Sequence, residues 1–445
     1  MNETILHNLL QHLDEGTARR SMLESYYHGT QPLAFLSPEA RTAIGTRFGR
    51  MATNIPRLAV NSLAERLRVT GFTVDGVPDQ RLWSDWLACD MDQMAPVAHR
   101  EALTLGESFV IVWADGRGRP LATVESAAQV AVTRDPATRA VVAAVKRWET
   151  ATTTEATLFT PETVSRFTAQ QLGATLGFRQ VSSTPNPFGV VPVVPLRNSD
   201  RLLGPAASEI DDLAPLVDAL NKTLADMMVS SEYVGRPRRW ATGVELAETE
   251  VLDEKGAPTG DVIATNPFPE NNRMMISETP ESRFGQLDAA DLGGYESAVK
   301  VLTSQIMAVS ALPAHYVGQL TNQPASADAL RAAEASLTSR AEVRQAVFGR
   351  AWEQVARLMV SVRTGADPLA VNVSTQWADA ATRSVAQEAD AVVKLHAAGL
   401  LPASYALARL GYDAAQVDQI RQARRAEALD QLATTLPELL GRTPA

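Results

Sequence analysis

Four aspartates, Asp211, Asp212, Asp218 and Asp226, lie close together, and carboxylates in that number are what a divalent cation needs. Neighbouring residues on a helix point in different directions, however, and no further ligands accompany them. The favoured reading is a solvated acidic face. The densest basic run, Arg236-Pro237-Arg238-Arg239, suits either phosphate contact or pairing with an acidic partner. Partner contact or plain solvation is preferred to DNA contact there. Gly293-Gly294 can be read as an anion-binding turn or as a helix entry or hinge, and a lone glycine pair favours the second.

Tyr26-Tyr27, Trp83 and Trp86 could stack on bases, but aromatics at helical spacing beside Leu and Met are usually core. Cys89 is the sole cysteine, which excludes an internal disulfide framework and a Cys-based zinc site. It reads as a small buried apolar residue. The six histidines are scattered, and no Gly-Lys-Ser/Thr phosphate loop, zinc helix, Gly-x-Ser-x-Gly elbow or paired-Cys motif is present. Catalysis therefore has no visible seat. An enzyme would need carboxylates brought together from separate segments, Glu107 and Asp115 for example.

The chain has 445 residues, 45% apolar and 21% charged, enough for a core shared by two or more cooperating domains. Its net charge of -10 argues against nonspecific gripping of nucleic acid, which needs clustered Lys and Arg. No apolar run approaches the ~20 residues of a membrane span, and the opening segment is polar and acidic, so a soluble protein made in a reducing cytoplasm is expected.

The elements that must position these residues read as follows. Ile5, Leu9, Leu13 and Met22 predict one N-terminal helix to Tyr27. Pro56 opens a helix through Arg68 that Gly71 is expected to stop. Between Phe109 and Phe167, β-rich runs separated by turn residues predict an antiparallel α+β region. Pro185, Pro187, Pro192 and Pro195 disfavour a long regular element before Leu203.

Two narrow apolar seams follow, Ile210 to Met227 and Tyr295 to Val309, flanking a strand-compatible stretch from Tyr233 to Gln286. Pro215 implies either a kink or a helix that starts at Ala214. The first seam helix, taken from Glu209 to Glu232, carries Glu209, Asp211, Asp212, Asp218, Asp226 and Glu232 against Lys222 alone. Ser326 caps a pattern running to about Val362, roughly 50 Å of helix, whose alanine-rich surface suits a spoke between subunits. Val371 to Val373 could return as a strand, and Ser384 to Leu440 reads as helices broken near Gly399 and Gly411.

In this order the parts resemble the SPP1-type phage portal proteins. The resemblance rests on Tyr26-Tyr27-His28-Gly29, on Asn54-Ile55-Pro56-Arg57 with Asn61 to Leu67, and on Gly106-Glu107-Ser108-Phe109-Val110. It continues through Leu216 to Asp226 and Ala325 to Arg331, so it spans almost the whole chain.

The resemblance implies an α+β, mainly helical portal fold with wing, stem, clip and crown, assembled as a dodecameric ring at one capsid vertex of the virion. It divides the chain into a wing (1–204), a first stem helix (205–233), a clip (234–286) and a second stem helix (287–312). A tunnel loop (313–325), a long wing helix with its returning strand (326–380) and a helical crown (381–445) complete it. It implies double-stranded DNA in the channel, and the terminase large subunit, a head-tail adaptor and the major capsid protein as partners, with no cofactor, metal or membrane.

The corresponding sites are Val317, Gln319, Leu320, Thr321, Asn322 and Gln323 in the tunnel loop, and Asp218, Lys222 and Asp226 along the channel. Arg236, Arg238 and Arg239 would meet a partner at the clip. An acidic conduit suits DNA that must slide, since each Lys–phosphate contact releases counterions and tightens binding. The loop's uncharged polar residues suit a soft valve rather than a clamp. The competing readings are another virion ring or connector protein and an enzyme with an unrecognised site.

Overall fold

The computed structural model of the chain describes residues 2–34, 52–199, 201–202, 204–235, 239–244, 247–252, 258–265, 280–286, 292–318, 326–381, 385–412 and 414–440. It opens with two helices, α1 (Asn2–Glu15) and α2 (Thr17–His28), where one continuous helix was expected. The break falls at Gly16, a residue that weakens a helix interior. In α1, Leu6, Leu9, Leu10 and Leu13 repeat at steps of three, one and three and are all buried. They lie on a five-stranded antiparallel sheet in the order β5 (Val130–Arg134), β6 (Val141–Glu149), β7 (Thr154–Phe159), β8 (Thr163–Ala169) and β9 (Arg179–Pro185). Ala131, Val145, Leu158 and Phe167 supply the sheet's side of this core. All seven residues of the edge strand β9 are exposed.

A larger core joins α3 (Ile55–Ala64), α4 (Gln80–Ala88) and α5 (Met91–Leu105) to a sheet in the order β10 (Val193–Arg197), β3 (Glu107–Ala114) and β4 (Pro120–Ser126). α3 ends at Ala64 rather than near Arg68. Gly71 does not stop it; the residue lies inside β1 (Val69–Val74), which pairs with β2 (Val77–Pro78) and with β15 (Val373–Trp377). Pro192 precedes β10 and Pro195 lies within it, so the proline-rich segment still contributes short strands.

Through the same core runs α8 (Ala327–Thr364), 38 residues and about 57 Å at 1.5 Å per residue. Its first turn is capped as expected, the Ser326 hydroxyl accepting from the Ala329 amide at 3.2 Å. Ala329, Ala332, Ala333 and Ala335 are exposed, while Leu337, Phe348, Trp352, Val355 and Met359 are buried. From Leu337 onward the helix is thus a central beam of this chain's own core.

The two seam helices are α6 (Ala214–Gly235) and α7 (Gly293–Ser310). α6 takes the second of the two alternatives for Pro215, starting at Ala214 and placing the proline in its first turn, where a missing N–H costs nothing. Between them stand two small antiparallel ladders, β11 (Arg239–Thr242) with β14 (Arg283–Gln286) and β12 (Ala247–Leu252) with β13 (Pro258–Thr265). The chain closes with α9 (Val385–Ala397), α10 (Ala403–Arg409) and α11 (Ala414–Leu440), broken near Gly399 and Gly411 as the sequence indicates.

Candidate channel helices and partner surfaces

The two seam helices pack against each other because each offers one narrow apolar stripe. Val217, Leu220 and Leu224 of α6 meet Val299, Leu302 and Ile306 of α7, and Ile55, Ala59 and Leu312 close the base of the pair. Toward its far end the Ser230 hydroxyl lies 3.0 Å from the Tyr295 hydroxyl. Gly293-Gly294 opens α7, in keeping with a helix entry.

The acidic residues expected on one helix face divide into two groups. Glu209, Asp211 and Asp212 precede α6, contrary to a seam helix beginning at Glu209. Glu209, nearly buried, accepts from Arg344 at 2.8 Å and from Asn198 at 3.1 Å. Asp211 pairs with Arg19 at 2.6 Å and accepts from the Ser208 amide at 2.8 Å, while Asp212 is exposed. These carboxylates anchor the turn that launches α6.

On α6 itself, Asp218, Lys222 and Asp226 recur every four residues and so share one stripe. Asp218 accepts from the Tyr26 hydroxyl at 2.8 Å, tying α2 to α6. Burial, and then the Asp218 carboxylate, push the Tyr26 phenol up to about 12. Lys222 pairs with Asp226 one turn on, so the lone lysine of the stripe is already partnered. Among the described residues, no group of three His, Cys, Asp or Glu side chains could hold a metal ion.

At the root of the expected tunnel loop, Ala314–Val317 forms one 3-10 turn. Val317 is half-buried and packs on the core of the α6–α7 pair, while Gln319, Leu320, Thr321, Asn322 and Gln323 lie outside the described residues. Above the turn a buried ion pair joins Arg66 to Glu334 at 2.9 Å. His315 reaches Glu334 at 3.4 Å, Arg66 donates to the Tyr316 hydroxyl at 3.4 Å and to the Ala380 carbonyl at 2.7 Å. This hub holds α3, the 3-10 turn, α8 and the segment after β15 together. Nothing in local sequence announces it, because its members are up to 314 positions apart.

Of the expected clip residues, Arg236 and Arg238 lie outside the described residues, and Arg239 opens β11 opposite Gln286. The aromatics follow the core reading: Trp86 is buried against Phe72 and Trp352, with Trp83 stacked on it at 6.2 Å. Tyr27 donates to Asn61 at 3.1 Å. Cys89 is half-buried at the end of α4, and burial raises its thiol.

Glu107 and Asp115 do not converge. They stand at opposite ends of β3, roughly 26 Å apart at ~3.3 Å per residue. Asp115 instead accepts from the backbone amides of Arg117 and Arg119, both at 2.8 Å, and that bonding lowers its carboxyl. Among the described residues, no helix is long and apolar enough to cross a membrane.

The family model described as phage portal protein, SPP1 Gp6-like, matches residues 6–429. The portal protein of Mycobacterium phage L5 is 30% identical over 442 residues, covering 92% of this chain and 88% of that one. The portal protein of Mycobacterium phage D29 is 32% identical over 389 residues, covering 82% and 77%. Among solved structures, a chain from the neck of an empty gene transfer agent particle aligns at 14% identity and a TM-score of 0.46, over 88% of this chain and 93% of that one.

Proposed function

The chain belongs to the SPP1 Gp6-like family of phage portal proteins, and from that premise we propose that it forms a dodecameric ring at one capsid vertex and conducts double-stranded DNA during packaging and ejection. In this reading α6 and α7 are the stem, the two β ladders between them the clip, and α9 to α11 the crown. The wing comprises residues 1–204 together with α8. The terminase large subunit docks on the ring during packaging, a head-tail adaptor follows it, and the major capsid protein surrounds the wing.

One observation carries most of this reading: a tightly packed antiparallel helix pair whose connection is a small β module. A stem built this way projects the module away from the main core, where a docking partner can reach it. The net charge of -10 favours sliding of a polyanion over gripping it. Negative-stain electron microscopy with mass photometry tests the proposal. Closed rings near twelve subunits, with a hole wide enough for duplex DNA, are expected; a compact monomer under every assembly condition would overturn it.

A further inference from the structure

We propose that a pocket between α1, α2, the end of β5 and the β3–β10 pair binds a tetrahedral oxyanion of the phosphate class. The site goes beyond the portal reading and does not depend on it.

The pocket encloses about 530 Å³ and is lined by guanidinium-bearing side chains from three separate elements: Arg20 of α2, Arg134 of β5 and Arg197 of β10. Across the β3–β10 ladder, Arg197 stands opposite Glu107, which also lines the pocket. The remaining charges are largely committed elsewhere. Arg19 is held by Asp211 at 2.6 Å, and Arg147, just beyond the pocket, by Asp14 at 2.7 Å. Glu15, exposed at the rim, accepts from Gln11 at 3.0 Å. Glu107 is thus left facing three guanidinium groups.

Two of the three are partly satisfied by neutral oxygens, which fix their position without cancelling their charge. Arg20 donates to the Leu13 carbonyl and, at 3.3 Å, to the Thr17 hydroxyl. Arg197 donates to the Gly204 carbonyl at 2.7 Å. Among the described residues the Arg134 guanidinium has neither a hydrogen bond nor an ion pair. Burial lowers the affinity of Arg20 and Arg134 for their protons, Arg197 pushes Arg134 further in that direction, and the Glu107 carboxylate offsets this only in part, so both remain below the ordinary value. A guanidinium does not deprotonate in a protein, so this tension is relieved by an anion rather than by loss of a proton. Donors arriving from three directions suit a tetrahedral oxyanion, whose oxygens also point several ways, better than a planar carboxylate.

The experiment is isothermal titration of the full-length protein with inorganic phosphate at constant ionic strength, with acetate as the planar control. Saturable phosphate binding is expected in the wild type, with acetate weaker. Arg134→Gln and Arg197→Gln should each weaken phosphate binding at least about tenfold. Glu107→Gln should tighten it by removing the competing carboxylate, a result that a merely structural role does not produce. Arg117→Gln, on an exposed turn outside the pocket, should leave it unchanged. Arg134→Lys keeps the charge and decides the matter if the glutamine variant misfolds: it should retain part of the affinity. Absence of saturable phosphate binding in the wild type would overturn the proposal. Arginine variants that bind as well as Arg117→Gln, or acetate binding as tightly as phosphate, would do so too.

Discussion

His99 is the clearest case of a single residue fixed by its surroundings. It has no exposed surface, stacks on Phe348 at 5.5 Å and accepts at Nε2 from the Trp352 indole N–H at 2.8 Å. That bond leaves its proton on Nδ1 and the ring neutral. Burial pulls its pKa down to about 3 from 6.5. Between those values the unfolded chain binds a proton that the folded chain refuses, so stability is lost as pH falls through the window. The slope is at most about 1.4 kcal/mol per pH unit. His99→Gln should flatten urea-unfolding stability between pH 6 and pH 4 relative to wild type; equal slopes would refute the assignment. Tyr26→Phe should cost about 1 kcal/mol by removing the bond to Asp218, and should abolish a tyrosine titrating near 12 in an ultraviolet pH scan.

At the scale of elements, junctions matter more than the elements themselves. Gly106 ends α5 with φ +96°, and a Cβ there would stand 3.0 Å from the Ala206 backbone. Gly106→Ala should therefore destabilise by roughly 1–3 kcal/mol, whereas Gly116→Ala, with open space around it, should be near neutral. Arg344 clamps α8 to the turn before α6, and Arg344→Ala would leave the nearly buried Glu209 without its counter-charge, held by Asn198 alone, at a cost of about 3 kcal/mol. Arg350→Ala, removing a largely exposed partner of Glu353, should cost less than about 1 kcal/mol; denaturant titration of both variants checks the contrast. These junctions explain what the sequence hid. Leu9 and Leu13 of α1, the α7 seam and the Ser326 cap are local patterns and were legible, whereas Met22, expected on the same apolar side, is exposed. Pairing of β1 with β15, and of Arg66 with Glu334, joins residues hundreds of positions apart and has no local period. The first seam helix was started too early, at Glu209 instead of Ala214, for the same reason. Charge counting along Glu209 to Glu232 could not reveal that Glu209 and Asp211 already answer arginines from α8 and α2.

At the scale of the whole molecule, the α6–α7 pair is joined to the rest of the fold by specific links, among them Tyr26 to Asp218, the Thr53 amide to Asn221 at 3.1 Å, and Arg340 to the Val309 carbonyl at 2.7 Å. The 3-10 turn is fixed from below by Val317 and from above by the Arg66–Glu334 hub. Removing residues 319–323 should leave that support standing. If the chain forms the proposed ring, the ring should survive this deletion, while filled heads should retain less DNA if the loop acts as the soft valve its uncharged polar residues suit. Unchanged retention, measured by nuclease protection of packaged DNA, would sink the valve and leave the ring intact.

The fully exposed strand β9 bears on how copies of this chain meet in solution. An edge strand offers unpaired backbone donors and acceptors to any passing strand, which is how sheets extend into aggregates. Here the safeguard is in the composition: Arg179 begins the strand, Pro185 ends it, and Ser182, Ser183 and Thr184 lie between. An irregularity in the β8–β9 register at Arg166/Phe167 adds local twist. An edge defended in this way keeps neighbouring copies of the chain from polymerising through it.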